Sequence, residues 1–261
     1  MSDSLPLGDV GVRLDRDGPV ATVTLCRPHV LNAQTPAMWE EMRQIGRDLP
    51  GDVRVVVVRG EGRAFSAGLD LSAVSAPTAG ASSFAELARG DDVTATATIA
   101  RFQEGFSWLR RPDLVSIASV RGHAIGAGFQ LALACDLRLL AEDAQFTMAE
   151  VSLGLVPDLG GTKRLVELVG YARAVDICLT GRRIGASEAD GLGLATSVVP
   201  VDDLDKTVAD LVAQILAVRR GAVIEIKALL AAASSNTFAQ QEAAERSAQL
   251  RRIREIVGLD E

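Results

Sequence analysis

Two glycine-bearing loops are where this chain can do chemistry. Ala64-Phe65-Ser66-Ala67-Gly68-Leu69-Asp70-Leu71 follows a valine-rich run, and Gly122-His123-Ala124-Ile125-Gly126-Ala127-Gly128 follows a strand-like segment ending at Val120. Small residues and glycines at a strand's end let backbone N–H groups approach a ligand closely. In the second loop these groups also open a helix, where the macrodipole favours negative charge. Two such N–H groups converging on one oxygen make an oxyanion hole; the competing reading is a pair of ordinary glycine-rich connectors. Other chemistries fail on residue type. Gly126-x-Gly128 lacks the third glycine of a dinucleotide fingerprint, and Gly161-Thr162-Lys163 is not a phosphate-binding P-loop. No G-x-S-x-G surrounds Ser66, and with His29 and His123 as the two histidines a Ser-His-acid hydrolase is a weak candidate. Histidine and cysteine are too few and too scattered for a zinc site, so no metal is expected.

The elements that must hold these loops follow from periodicity. Residues 10 to 16 and 19 to 25 read as strands joined by the Asp17-Gly18 turn signal. After a loop, Arg27 to Ala33, Thr35 is placed as an N-cap with Pro36 in the first turn; Met38, Met42, Ile45 and Leu49 fall at helical spacing before Pro50-Gly51. Val53 to Arg59 holds four consecutive valines, the pattern of a strand covered on both faces. Ile99, Phe102, Phe106 and Leu109 share a helix face, Leu114 to Val120 reads as a buried strand, Ala127 to Ala134 as a small-residue helix, and Leu137 to Leu140 as another strand. This strand-and-helix alternation predicts an α/β fold with crossovers. From about Thr162 helices dominate, with Gly170 as a C-cap, a helix starting at Asp202 or Asp203 and running through Leu216, and helical periods from Ala222 to Val257. The division expected is a core over 1–200 and a helical part over 201–261. Ser72 to Thr98, rich in Ala, Ser, Thr and Gly with little periodicity, reads as a mobile surface loop and a possible lid.

Composition narrows the partners. The 261 residues carry a formal charge of −7, with 27 basic residues of which Lys163, Lys206 and Lys227 are the three lysines. An acidic balance without a basic block argues against nucleic acid or an anionic membrane surface as partner, and 4% aromatic residues supply few stacking platforms for single strands. Cys26, Cys135 and Cys178 are odd in number and form no C-x-x-C, as expected of reduced thiols. No apolar run reaches the roughly 18 residues of a membrane span, and the first residues, MSDSLPLGDV, carry acids where a signal peptide needs a basic then an apolar region. The expectation is a cytoplasmic protein.

Four strings carry a family resemblance: Arg27-Pro28 with Leu31-Asn32-Ala33, AFSAGLDL at 64 to 71, RGHAIGAGFQLALACDLRL at 121 to 139, and FTMAEVSLGLVPDLGGTKRL at 146 to 165. In order and spacing they resemble the enoyl-CoA hydratase/isomerase (crotonase) superfamily, and TGRRIGASEADGLGLATSVVP at 180 to 200 extends the likeness. The resemblance implies a spiral of ββα units with a C-terminal helical trimerisation region, a homotrimer or dimer of trimers, and an acyl-CoA substrate whose thioester carbonyl is polarised. Coenzyme A would be part of that substrate, and no separate cofactor is implied. Matched motif to motif, the oxyanion donors are the backbone N–H groups of Leu69 and Ala127. CoA contacts fall near His29, Val30 and Leu31 and near Ala67, Gly68, Asp70 and Leu71. Asp70 has a second reading, that it caps local backbone groups. Family members continue beyond the region matching Gly258 to Glu261 into a last helix over the CoA site, so closure of that pocket is left open.

Hydratases of this family use two glutamates. At the first position this chain has Gln130, a neutral amide that hydrogen-bonds but does not shuttle protons; at the second it keeps Glu150, preceded by Ala149 in place of the usual proline. Hydration divides base and acid roles between paired carboxylates, whereas one carboxylate suffices to move a proton from one carbon to another. The pattern therefore favours an isomerase-type double-bond shift with Glu150 as proton carrier. Asp158 matches a position where dienoyl-CoA isomerases of the family carry a catalytic aspartate; alternatively it orders the glycine-rich turn before the next helix, and Glu150 itself could be an exposed strand-end carboxylate. Hydration despite Gln130, thioester hydrolysis by a water on Glu150, and a catalytically weak acyl-CoA binder are the competing functions.

Overall fold

The computed structural model describes residues 10–72 and 84–259. The chain opens with the expected hairpin, β1 (Val12–Asp17) against β2 (Val20–Leu25), turned at Gly18 with φ +53°. Thr35 then caps α1 (Pro36–Asp48), its hydroxyl accepting from the Met38 N–H at 3.3 Å. β3 (Val55–Gly60) pairs in parallel with β2 on one side and β4 (Val115–Val120) on the other; β6 (Leu137–Ala141) and β9 (Ser197–Val199) complete a six-stranded sheet in the order β1-β2-β3-β4-β6-β9. A second sheet is formed by β5 (His123–Ile125), β7 (Gln145–Thr147) and β8 (Ile184–Gly185).

The consecutive valines of β3 divide as a period of two demands. Val56 and Val58 join the main core with Met38, Met42, Phe106 and Leu109, while Val55 and Val57 face Ile117, Leu139, Leu204 and Val208. Both faces are thus covered, the first by α1 and its neighbours and the second by α8 (Leu204–Ala217). Burial of these aliphatic side chains, at about 25 cal/mol per Å² of apolar surface removed from water, supplies the main driving force for closing the layers.

Residues 84–89 and 92–98 of the expected surface loop are helical, in α2 (Phe84–Arg89) and α3 (Asp92–Ser107); the stretch 73–83 lies outside the described residues. Helix α3 is started by the Asp91 side chain, which accepts from Thr94 N–H at 2.9 Å. Its first turns are largely exposed and only Phe102, Gly105 and Phe106 are buried, so they need no apolar stripe and show none in sequence. The remaining helices are α4 (Ala127–Ala134), α5 (Gly161–Val169), α6 (Tyr171–Thr180), α7 (Ala186–Gly191), α9 (Arg220–Ala233) and α10 (Phe238–Ile256). The helical run expected over Ala222 to Val257 is broken by a capping box in which Thr237 and Gln240 bond each other's backbone. No helix among the described residues is long and apolar enough to cross a membrane.

Helix α9 is tied to the core through Lys227. The Lys227 ammonium donates to the carbonyls of Arg111 and Leu114 and to Asp136 Oδ2, each at 2.6 Å. Asp136 also accepts from the Ser116 N–H at 2.8 Å. Removing the cation leaves a partly buried carboxylate and two carbonyls without their partner. Lys227→Ala is expected to lose about 3 kcal/mol of unfolding free energy, read as a lower urea midpoint with an unchanged slope.

Candidate active site

The segment entering the site is held in an unusual backbone shape. Leu31 and Asn32 adopt φ of +53° and +56°, a left-handed pair that asparagine tolerates better than most residues. The buried Asn32 side chain accepts from Arg27 N–H at 2.9 Å and donates to the carbonyls of Glu61 and Ala64 at 2.9 and 2.8 Å. It therefore stitches the Arg27–Ala33 loop to the chain leaving β3. Ser66 continues the stitching: its hydroxyl donates to Asn32 O at 2.8 Å and accepts from Gln34 Nε2 at 3.0 Å and Gly68 N–H at 3.1 Å. With one donor and two acceptor interactions used, that hydroxyl is saturated. Trp39 Nε1–H completes the chain by donating to Gln34 Oε1 at 2.8 Å.

These bonds decide which way the first loop points. The Gln34 N–H donates to Gly68 O, and Gln34 O accepts from Asp70 N–H, so the peptide edges flanking Leu69 are spent on one side and the Leu69 N–H faces the other. The second loop is brought alongside by Ser66 N–H donating to His123 O and Ile125 N–H donating to Ser66 O. Contact is so close that a Cβ on Gly68 would sit 2.4 Å from Ile125 O, and 3.6 Å from Ala127 N. Gly68 is also at φ +85°. Ala127 is the first residue of α4, so its N–H has no intrahelical acceptor. Among the described residues neither the Leu69 nor the Ala127 N–H has a protein acceptor, and both residues line one cavity of about 560 Å³.

Apolar side chains make most of that cavity. Trp39, Leu87, Ile99 and Phe102 form one wall, with Trp39 and Phe102 packed edge to face at 5.2 Å, and Leu153, Leu155, Val156 and Leu159 form another. Its ionisable groups are Glu150 and Asp158. Glu150 begins a short 3₁₀ turn, Glu150–Leu153, and its carboxylate rests against Gly126, where a Cβ would lie 3.3 Å from Oε1.

Gln130 fixes that carboxylate. Only 1% exposed, it accepts at Oε1 from the N–H groups of Leu159 and Gly161, at 2.9 and 3.2 Å, and donates from Nε2 to Glu150 Oε1 at 2.7 Å. The two backbone donors dictate which end of the amide is oxygen, so the NH₂ end must face the carboxylate. Glu150 Oε2 is buried and has no hydrogen-bond partner. Burial raises the Glu150 carboxyl above its ordinary pKa, against the lowering by its own backbone and by Gln130, and the nearby Asp158 charge raises it further. Burial likewise raises Asp158, whose loop is held from the other side by Gln103 Nε2 donating to Asp158 O at 2.7 Å.

The residues singled out from sequence separate into two groups. Leu69, Ala127, Gln130, Glu150 and Asp158 meet around the cavity, joined by Ala67, Gly68 and Leu71. His29, Val30, Leu31 and Asp70 do not line it. His29 and Val30 are exposed on the 3₁₀ turn Pro28–Val30, and Leu31 is tied to the rim by the Ala67 N–H. The Asp70 carboxylate accepts from the Ser72 N–H and hydroxyl at Oδ1 and from Arg27 at Oδ2 at 2.9 Å. The Ser72 hydroxyl and then Arg27 hold it below the usual carboxylate range. Asn32, Gln34 and Ser66, which shape the site, were not singled out; their signal is polar residues placed between apolar elements, ambiguous until their partners are known.

Set beside known proteins, residues 15–255 match the family model for enoyl-CoA hydratase/isomerase. The Mycobacterium tuberculosis protein named as enoyl-CoA hydratase echA8 is 34% identical over 195 residues, 74% of this chain and 70% of that protein. The human mitochondrial Delta(3,5)-Delta(2,4)-dienoyl-CoA isomerase is 37% identical over 191 residues, 69% of this chain and 56% of that protein. A crystal structure from Thermobifida fusca YX, of a chain named as an enoyl-CoA hydratase and in complex with CoA, is 51% identical, covers 95% of each chain and superposes with a TM-score of 0.91; the same protein was also solved with acetoacetyl-CoA. The chain thus has the crotonase fold, and it belongs to the enoyl-CoA hydratase/isomerase family of enzymes.

Proposed function

We propose that the protein shifts the double bond of a 3-enoyl-CoA thioester toward the carbonyl, with Glu150 carrying the proton. One observation supports the reading above the others: the position of the family's other glutamate is Gln130, whose amide bonds Leu159 and Gly161 through its oxygen and Glu150 through its NH₂. It positions the base and cannot exchange protons with substrate. The relatives bound to CoA and acetoacetyl-CoA support a CoA thioester as substrate, with contacts assigned to Ala67, Gly68 and Leu71 at the cavity and to His29, Val30, Leu31 and Asp70 outside it. The reaction as proposed needs no further cofactor.

In this mechanism the thioester oxygen accepts from the N–H groups of Leu69 and Ala127. Each such preorganised donor is worth about 3 kcal/mol to the developing oxyanion. Glu150, which lines the cavity and whose Oε2 has no hydrogen-bond partner, removes a proton from C2. The resulting dienolate is held as its oxyanion, and the same carboxyl returns the proton at C4, leaving the 2-enoyl thioester. Desolvation serves this step, because a carboxylate with a raised pKa is a stronger base toward a carbon acid. A second reading rests on Asp158, which shares the cavity and whose carboxyl is also raised by burial: paired with Glu150 it would divide acid and base roles, as hydration or a dienoyl shift requires.

Rates on a 3-enoyl-CoA, crotonyl-CoA and a saturated acyl-CoA, measured side by side, test the proposal. The 3-enoyl substrate is expected to turn over fastest, with Glu150→Gln abolishing turnover while CoA-thioester binding persists. The ionised carboxylate is the active form and its pKa is raised, so kcat/KM should fall on acidification with a midpoint above the ordinary glutamate value of about 4.3. Faster hydration of crotonyl-CoA, or wild-type turnover in Glu150→Gln, would overturn the assignment.

Gln130→Glu addresses the missing carboxylate directly. One new oxygen would keep the bonds from Leu159 and Gly161, and the other would face Glu150 Oε1 where the amide now donates at 2.7 Å. Two carboxylates so close share a proton, raising the pKa of one. Crotonyl-CoA hydration should then rise by about 10²-fold, measured as loss of enoyl absorbance.

We further propose a homotrimer or dimer of trimers in the cytoplasm. The support is apolar surface left on the C-terminal helices: Ile226 and Leu230 on α9, and Phe238, Leu250, Ile253 and Ile256 on α10, are all exposed. Light scattering at micromolar concentration should report three or six chains, and a monomer would contradict the proposal.

A further inference from the structure

A second cavity, of about 210 Å³, lies on the opposite face of the main sheet from the active site. Its floor is one row of residues paired across four adjacent strands: Arg13 opposite Thr24, Thr24 opposite Arg59, and Arg59 opposite Ser119. Arg121, two residues beyond Ser119, joins the same side. This is the sheet face that buries Val57 and Ile117 one row earlier, and Leu139 beside Ser119 in the same row, under α8. An apolar face therefore ends in guanidinium and hydroxyl groups that converge on a concave space.

The charges there are incompletely matched. Arg13 donates to Asp15 at 2.9 Å, and Arg121 reaches Asp205 at 3.8 Å. Among the described residues no carboxylate forms an ion pair with Arg59, whose side-chain hydrogen bond is a long 3.5 Å donation to the Thr24 hydroxyl. The Ser119 hydroxyl, on a residue 5% exposed, has no hydrogen-bond partner among the described residues. Glu61 and Asp205 also line the cavity but are exposed, at its rim. In a chain of net charge −7, a recess with an unneutralised guanidinium and hydroxyl donors beside it is organised for an oxyanion: the planar guanidinium fork matches two oxygens at once, and a concave low-dielectric wall concentrates its field.

We propose that this cavity binds a small oxyanion of the phosphate type, with Arg59 as its principal ligand and Arg13, Arg121, Thr24 and Ser119 as the others. The location gives binding a consequence. Gly60, Glu61 and Gly62 lead from β3 into the first active-site loop, and Arg121 leads from β4 into the second; Arg121 O accepts from Phe65 N–H, and Glu61 O accepts from Asn32 Nδ2. An anion seated here braces the two segments that carry Leu69 and Ala127, without touching either.

Calorimetric titration of the full-length protein with inorganic phosphate, at ionic strength held constant with chloride, tests this. One saturable site per chain is expected, weakened by about tenfold or more in Arg59→Gln, a difference of about 1.4 kcal/mol, and by a smaller factor in Ser119→Ala. Arg59→Gln should keep the wild-type circular dichroism spectrum and the phosphate-free turnover, since it lies outside the active site. A parallel arm uses adenosine 3′,5′-bisphosphate: displacement of inorganic phosphate by it, lost in Arg59→Gln, assigns the site to the phosphoryl group of a nucleotide, whereas failure to compete assigns it to free phosphate. Absence of a saturable signal, or binding that survives Arg59→Gln unchanged, overturns the proposal.

Discussion

Everything at the active site depends on how closely two backbone segments approach each other. Residue 68 stands against the carbonyl of Ile125, where any Cβ would lie 2.4 Å away, and the parallel bridge between Ser66 and Ala124 locks the segments in register. Each segment has its hydrogen bonds on one side consumed by the fold, Leu69's neighbours by Gln34 and Gly126 by Thr147. What remains unpaired is therefore not scattered but directed, two N–H groups into one cavity. Substituting glycine by any residue at 68 would combine a backbone clash with strain at φ +85°.

That approach is maintained by buried polar side chains. Asn32, Gln34 and Ser66 are each below 1% exposed, and every polar side-chain atom in them is hydrogen-bonded. In a low-dielectric interior such bonds are strong when all partners are present and costly when one is missing, which makes the network a rigid frame. Gln130 extends the same logic to chemistry. Its amide spends its oxygen on two backbone donors and has an NH₂ end for Glu150, so one carboxylate oxygen is pinned while the other is left bare in a desolvated space. Gly161 permits this, because a Cβ there would press to 2.7 Å from Gln130 Cγ.

Helices far along the chain support these loops indirectly. α8 closes the second face of the sheet from which both loops spring, and Lys227 fixes α9 to the ends of β4 and α4 through Asp136. Buried Arg138 reinforces the same corner by donating to the carbonyls of Leu194 and Cys135; burial lowers its pKa to about 10, still far enough above neutrality to keep the charge.

Local sequence was sufficient wherever one segment carried its own signal. The hairpin, the capped start of α1, the doubly covered valine strand and the helix at Ala127 needed no partner to be read, because turn chemistry, capping and apolar periodicity are properties of neighbouring residues. The motif strings likewise marked Leu69, Ala127, Gln130 and Glu150 before any contact was known. Tertiary structure decided the rest, for a stated reason in each case. The first turns of α3, unlike its second half, gave no signal because they face solvent and carry no stripe. The carboxylate of Asp70 is paired with Arg27, 43 residues away in the chain. The orientation of Gln130 depends on two N–H groups about thirty residues distant, and the row Arg13, Thr24, Arg59 and Ser119 exists only through strand register. Composition and spacing determine which groups a chain has, but their partners, their burial and hence their protonation are set by contacts that no local window contains.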